Sequence, residues 1–243
     1  MSNKIIITRP IDQGKEFASM IISKIDKMKA TDIIFEPMLE IIHIDVDIKK
    51  CQKYGGVIVT SANALHVVEK NSDLKNIPFY CVGKKTAQQL ESFGVKHIIE
   101  IAKTSAELLE LINKSHVKSF LYLRGKDISL DLTKNSDFIV TEAVCYEAKK
   151  VDRFSDSFLN CISNNNDCLI TFFSRRTAEN FVRLLSILNS KNPVDLDKIQ
   201  VLYISHSVLE CMNIDFKKGH SFVSVSPDIE GMLDAVDSYS VSI

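Results

Sequence analysis

The chain has 243 residues, enough for one large or two small domains at roughly 100–200 residues each. Hydrophobic residues make up 45% and charged residues 25%, as in an ordinary globular protein; 30 Lys and Arg nearly cancel 31 Asp and Glu, which argues against non-specific adhesion to nucleic acid. No apolar run approaches the roughly 20 residues of a membrane-spanning helix, and Met1-Ser-Asn-Lys4 leads into a strand-like run, so a cytoplasmic protein with no membrane partner is expected.

In chain order, short apolar or β-branched runs predict strands over 4–8, 33–36, 57–60, 79–82, 97–101, 120–123, 138–141, 168–173, 201–204 and 222–225. Helical spacing fills the intervals 13–27 (Phe17, Ile21, Ile22, Ile25), 63–70, 86–93, 105–112, 177–187, 207–212 and 228–236. Thr104-Ser-Ala-Glu107 has capping-box spacing, and Ser226-Pro227 sets a cap before a first-turn proline. This alternation predicts an α/β fold with parallel sheets. The stretches 39–46 and 143–148 read as extended with no helix attached. Taken as connections, they make 1–39 plus 150–243 a discontinuous α/β domain and 40–149 an inserted α/β domain of similar build.

Val57–Leu65 recurs in altered form as Leu169–Ala178, a buried-type strand running into Ser61 or Ser174 and then a helix. Such a junction leaves the first helical N–H groups unpaired at the strand's carboxyl end, where an anion is stabilised, although a serine there also serves simply as a helix cap. Cations gather at the same places: Arg9, Arg124, Arg175 and Arg176 follow strands, joined by Lys84, Lys85 and Lys126. Arg175 and Arg176 are neighbours on one helical turn, and Arg175 is the one expected to face the ligand. Gly83 permits close backbone approach and Thr86 either caps the next helix or donates to the ligand. A polyanionic small molecule is therefore the expected partner. Cys51, Cys81, Cys145, Cys161, Cys168 and Cys211 form no Cys-x-x-Cys pair, and the six histidines lack metal-ligand spacing, so neither a disulfide framework nor a metal is expected.

Thr8-Arg9-Pro10, Thr60-Ser61-Ala62-Asn63-Ala64, Val82-Gly83-Lys84-Lys85-Thr86-Ala87, Leu123-Arg124-Gly125, Val144-Cys145-Tyr146 and Phe172-Phe173-Ser174, in this order, resemble the signature of the uroporphyrinogen-III synthase family. The resemblance spans essentially the whole chain. It implies two similar α/β domains joined by a two-stranded connection, with the active site in the cleft between them. It also implies a linear tetrapyrrole substrate, hydroxymethylbilane, closed with inversion of ring D and loss of water to uroporphyrinogen III, without a cofactor. Carried over, the motifs assign substrate contacts to Arg9, Thr60, Ser61, Ala62, Gly83, Thr86, Arg124, Gly125, Ser174, Arg175 and Ser207. Tyr146 becomes the candidate proton donor, because a phenol with an ordinary pKa near ~10 remains protonated at neutral pH; read from its apolar strand alone, the same tyrosine is a packing residue. One turn departs from the pattern: Ser205 stands where glycine is usual and Val208 where threonine is usual, with Ser207 supplying a hydroxyl one position earlier.

Two other classes share parts of this pattern. A non-catalytic, cleft-type binding protein for a polyanion would have similar lobes, but such modules commonly carry a signal segment or a basic helical appendage. A receiver-type pair would place acidic clusters at strand ends to hold magnesium, where this chain places cations. Nothing in the sequence resembles a coiled-coil seam, and a monomer is expected.

Overall fold

The protein is described here by a computed structural model covering residues 4–48, 53–134, 138–164, 167–190, 194–212, 214, 216 and 220–241; Cys51 lies outside the described residues. The first part of the chain forms β1 (Lys4–Ile7), α1 (Ile11–Lys24), β2 (Ile33–Phe35) and β3 (Leu39–His43). The middle forms β4 (Gly56–Val59), α2 (His66–Lys70), β5 (Phe79–Val82), α3 (Lys84–Ser92), β6 (Ile98–Ala102), α4 (Ser105–Asn113), β7 (Ser119–Gly125) and β8 (Ile139–Lys150). The last part forms α5 (Asp156–Ser163), β9 (Cys168–Phe172), α6 (Arg175–Asn189), β10 (Ile199–Tyr203), α7 (His206–Leu209), β11 (Ser221–Val223) and α8 (Ile229–Val241).

Two compact units emerge, Met1–Glu40 with Lys149–Ile243, and Ile41–Ala148. The first unit holds a parallel sheet in the order β11-β10-β9-β1-β2, with Ile6 level with Ile170 and Ile34, and Val201 level with Ile170. Both faces of its central strands are covered, which is why β1 and β9 read as largely apolar runs. Ile6, Ile170, Phe172, Val201 and Tyr203 pack against Phe158 of α5 and Phe181, Leu184 and Leu185 of α6. Ile5, Ile7, Leu169 and Leu202 pack on the other face against Phe17 and Ile21 of α1 and Met232 and Val236 of α8. Phe181 is fully buried and meets Phe154, Phe158 and Phe172 edge-on, so truncating it to Ala would cost about 3–5 kcal/mol.

The second unit orders its strands β3-β8-β7-β4-β5-β6, with β4 to β8 parallel. Val57, Val59, Cys81, Leu121 and Leu123 face Val67, Val68 and Leu90, while Ile58, Tyr80, Phe120 and Tyr122 face Leu108 and Ile112 of α4. β3 flanks β8 as an antiparallel partner: Ile44 N–H donates to Cys145 O at 2.7 Å and Val151 N–H donates to Met38 O at 3.3 Å, the numbers running in opposite senses. The expected short strand at 138–141 and extended stretch at 143–148 are thus one strand, β8, held on both sides by neighbours.

Three helical expectations change. After Ser61 the chain makes a single 3-10 turn over Ala62–Ala64 and only then the five-residue α2. The helix expected over 207–212 is the four-residue α7. α8 starts one residue past Asp228, whose Oδ1 accepts the Gly231 N–H at 2.8 Å, so an aspartate caps it where Ser226 was expected. α5 was not expected at all, although Ser155 caps it by accepting from Phe158 N–H and buries Phe158 and Cys161.

In each sheet the strand order reverses once, between β1 and β9 in the first unit and between β7 and β4 in the second. Ligands of doubly wound sheets bind outside the carboxyl ends at such a reversal.

Candidate functional site

The residues at the carboxyl ends of β7, β4 and β5 follow directly from that order. β4 ends at Val59, and Thr60 Oγ1 lies 3.0 Å from the hydroxyl of Tyr122 on the neighbouring β7. Burial pushes the Tyr122 phenol above its usual pKa, opposed by that hydrogen bond. Ser61 follows in extended conformation and its Oγ accepts the Asn63 N–H at 3.3 Å, with Ala62 opening the short 3-10 turn. Because α2 is only five residues and begins beyond Leu65, the aligned dipole behind Ser61 is short.

On the next strand, Gly83 has φ 85 and ψ 136, a region that a side-chain-bearing residue rarely enters, and it starts α3 without a side-chain cap. A Cβ built on Gly83 would meet only Thr86 Oγ1, at 3.9 Å, so the turn selects glycine by its dihedrals and not by crowding. Thr86 is buried at the third position of α3; Lys84 and Lys85 are exposed on its first turn.

At the end of β7 the register with β8 slips between Arg124 and Gly125, bringing Gly125 level with Tyr146. A Cβ on Gly125 would lie 2.7 Å from Tyr146 Cζ and 2.9 Å from its hydroxyl oxygen. The phenol therefore lies directly on the glycine Cα, half-buried against the apolar face that contains Cys145 and Leu123. Lys126 N–H donates to Tyr146 O at 2.8 Å and completes the seat. Arg124 is engaged locally: its Nε is 2.8 Å from Glu142 Oε1, and its Nη1 donates to Gly125 O at 2.8 Å and Lys126 O at 3.1 Å.

The first unit presents a parallel arrangement on β1, β9 and β10. Arg9 follows β1 and lays its guanidinium 4.4 Å from the ring centroid of Phe173, which in turn meets Phe17 edge-on. Its Nη2 donates to Gln13 Oε1 at 3.1 Å, whereas its Nε is buried without a hydrogen-bond partner. Desolvation lowers the Arg9 pKa, offset by the nearby Glu16 carboxylate. Ser174 follows Phe173 and caps α6: its Oγ accepts the Thr177 N–H at 3.3 Å and lies 3.1 Å from Thr177 Oγ1. Behind this cap stands a helix of 15 residues, so the dipole that Ser61 lacks is present here. Arg175 is exposed and only 3.9 Å from Glu179. Ser207 is exposed on the brief α7, its hydroxyl 3.0 Å from that of Ser205.

The fold thus gathers Thr60, Ser61, Ala62, Gly83, Thr86, Arg124, Gly125 and Tyr146 at one sheet edge, and Arg9, Ser174, Arg175 and Ser207 at the corresponding edge of the other sheet. Three contributors escaped the sequence reading. Phe173 is the platform for Arg9, Glu142 the counter-ion of Arg124, and Tyr122 the partner of Thr60. Each pairing crosses between neighbouring segments and needs strand register to be seen. Among the described residues no three His, Cys, Asp or Glu side chains converge as metal ligands, and no helix is long and apolar enough to cross a membrane. A cavity of about 310 Å³ lies elsewhere, between β9–β11 and α8, lined by Leu169, Leu202, Phe222, Val223 and Tyr239 among others.

A family profile described as Uroporphyrinogen-III synthase HemD matches residues 24–234. Among solved structures, that of uroporphyrinogen-III synthetase from Helicobacter pylori is similar at 20% identity and TM-score 0.64, covering 98% of this chain and 99% of that one. A mutant uroporphyrinogen III synthase from Thermus thermophilus is similar at 12% identity and TM-score 0.54, covering 99% of this chain and 100% of that one. At these identities the structures show a shared fold. No curated protein matches the chain.

Proposed function

The chain belongs to the uroporphyrinogen-III synthase family, and on that premise we propose that it converts hydroxymethylbilane to uroporphyrinogen III as a cofactor-independent hydro-lyase, with Tyr146 as the proton donor. The enzyme belongs to tetrapyrrole, and hence haem, biosynthesis. The reaction begins when the terminal hydroxyl of the substrate leaves as water, taking a proton from an acid as its C–O bond breaks. The azafulvene cation that remains is attacked by the substituted carbon of ring D, and the resulting spirocycle fragments and recloses with ring D inverted. The bonds made and broken belong to the substrate, so the protein's main task is to hold its ends in the conformation that leads to inversion. Proton donation to the leaving hydroxyl is a smaller contribution.

The observation that carries this reading is the seat of Tyr146. A half-buried phenol lies on the Cα of Gly125, at the sheet edge where Ser61 and Gly83 also stand. The substrate's carboxylates are assigned to the hydroxyls and N–H groups at Thr60, Ser61, Ala62, Gly83, Thr86 and Gly125, with Arg124, in one unit. Arg9, Ser174, Arg175 and Ser207 serve in the other. Arg9 has the stronger claim of the two buried-stem arginines, because Glu142 already lies 2.8 Å from Arg124 Nε, whereas a substrate carboxylate would supply the partner that Arg9 Nε lacks. A monomer acting in the cytoplasm, with the linear tetrapyrrole as its partner and neither nucleic acid nor membrane involved, completes the reading.

The test is to supply the purified protein with hydroxymethylbilane and separate the isomers formed. Unassisted closure gives type I, so the substrate carries its own control. Type III formed in proportion to enzyme supports the reading; type I alone, at the rate of buffer, overturns it.

A further inference from the structure

The described residues contain one fully buried amide whose hydrogen bonds all go to the backbone strands linking the two units and to an arginine beside it. Asn180, on α6, donates from Nδ2 to Met38 O at 2.8 Å and to Val151 O at 3.0 Å. Its Oδ1 accepts from Arg183 Nε at 2.9 Å, and Arg183 Nη2 donates to Val151 O at 2.7 Å. Met38 and Val151 stand where the chain leaves and re-enters the first unit, next to its boundaries at Glu40 and Lys149.

The plain explanation is that buried carbonyls need donors and Asn180 supplies them. The geometry goes further. Met38 O already accepts the Val151 N–H, and Val151 O already accepts from Arg183, so each carbonyl has a partner without Asn180. Arg183 is itself partly exposed, so water can serve its Nε. A buried amide carries a desolvation cost that an apolar side chain of the same size avoids. What Asn180 adds is register: it fixes α6 at once to Met38, just before β3, and to Val151, just after β8. The cap of that helix, Ser174, lies six positions earlier, about 9 Å along the axis at ~1.5 Å per residue.

The second unit repeats the device from its own serine junction. His66, five positions after Ser61, places Nδ1 3.1 Å from Asn63 O and Nε2 3.4 Å from Ile44 O, with its ring stacked 4.1 Å from that of His43 on β3. Ile44 is in turn bonded to Cys145 on β8. His66 thus ties the Ser61 junction to the residue that follows β3, and the link onward to β8 is the Ile44–Cys145 backbone bond.

We propose that Asn180 is a positioning residue for the reaction, holding the Ser174 end of α6 in fixed register with both connecting segments at Met38 and Val151, and that His66 ties the Ser61 junction to the first of these segments at Ile44. The proposal rests on the function given above. Losing the tie leaves Arg9 and the serine caps able to bind carboxylates, so KM stays the same, while the conformation that leads to inversion is held less often and kcat falls.

The experiment compares wild type with Asn180→Leu, measuring kcat, KM and the type III share of product alongside melting curves. A drop in kcat on the order of 10- to 100-fold, with KM unchanged and type I accumulating from unassisted closure, is expected. Unchanged kcat per folded molecule, even with a lower Tm, overturns the proposal, as does a rise in KM alone. Should Asn180→Leu fail to fold, Arg183→Met decides, since it removes the outer arm at a partly exposed position. A lower kcat at constant KM then supports the proposal, and wild-type kinetics overturn it. Wild-type protein that forms no type III defeats the functional reading itself, and the proposal falls with it.

Discussion

Gly125→Ala isolates the seat of Tyr146 from every other feature of the site. Among the described glycines only Gly83 and Gly94 have positive φ, so the backbone at Gly125 accepts an alanine without dihedral strain. Its methyl, however, would stand 2.7 Å from Tyr146 Cζ. Reaching ordinary contact at 3.4 Å requires the ring to retreat by about 0.7 Å, and the hydroxyl oxygen, 2.9 Å away, must retreat with it. Overpacking in a rigid core costs about 1–3 kcal/mol. Here the ring is half-buried and can yield, and removing a glycine from the unfolded chain returns roughly 0.4–1 kcal/mol. The net loss is then about 1 kcal/mol, or ~2–4 °C in Tm for a protein of this size.

The catalytic effect should be larger than the stability effect. Displacing a reacting group by ~1 Å can cost ~10²-fold in rate, so kcat should fall by one to two orders of magnitude, roughly, with little change in KM. The assay is steady-state turnover of hydroxymethylbilane with separation of isomers, run on Gly125→Ala, Tyr146→Phe and the double variant. If the glycine acts through the phenol, the double variant is no slower than Tyr146→Phe, because once the hydroxyl is gone its position no longer matters. Wild-type kcat in Gly125→Ala, or effects of the two substitutions that simply multiply, would refute the reasoning.

Tyr146→Phe alone should slow turnover by no more than the ~10²–10⁴-fold typical of general-acid catalysis while its residual product remains type III; full turnover would return the residue to a packing role. Gly83→Ala should lower stability by about 1–3 kcal/mol through its φ of 85 although the methyl has room, and an unaltered melting curve would show that the turn relaxes freely. Glu36 is buried, which raises its pKa, opposed by hydrogen bonds from Ser155. Its proton is therefore held more tightly in the folded state, and stability falls as pH rises from the unfolded carboxyl value near ~4.3 through the raised folded value. Glu36→Gln should flatten that decline, and identical pH–stability curves for the two proteins would contradict it. Arg9→Gln should raise KM more than Arg124→Gln, because Arg124 already holds Glu142, and the wild-type KM should rise with ionic strength; equal effects, or a KM indifferent to salt, would remove the arginines from the binding surface.

Much of the architecture was readable because parallel strands buried on both faces leave a signal that survives without context. Ile5-Ile6-Ile7 and Cys168–Phe172 are buried throughout, and runs that are apolar at every position but Thr171 admit few other readings. α5 escaped for the opposite reason. Its buried residues are Phe158 and Cys161, and the polar residues around them mask the period, so the Ser155 cap was its only strong mark. Helix length after Ser61 was also illegible: the apolar spacing of Ala64, Val67 and Val68 suits a continuous helix, but the chain there makes a 3-10 turn before α2. The motif-bearing turns could be placed because they end strands. The partners that tune them could not, since Glu142 reaches Arg124, and Tyr122 reaches Thr60, only through the alignment of neighbouring strands. Tyr122 in particular lies within Phe120–Leu123 and reads as core, which it also is.

The two units share a plan but differ in charge. In the first, the strand beside β1 is followed by Glu36, whose oxygens accept from Ser155 N–H at 3.0 Å and from the Ser155 hydroxyl, at the start of α5. A free carboxylate at that edge would repel a polyanion; this one is buried and occupied in anchoring a helix. In the second unit the strand beside β7 carries Tyr146, level with Gly125. The arginines divide in the opposite sense. Arg124 has its charge answered by Glu142, whereas Arg9 stacks on Phe173 with Nε unpartnered and its charge desolvated. A substrate carboxylate gains more from Arg9, because pairing there also relieves a cost already present in the free protein. Under the proposed function, Arg9 is therefore the better prepared of the two arginines for a substrate carboxylate.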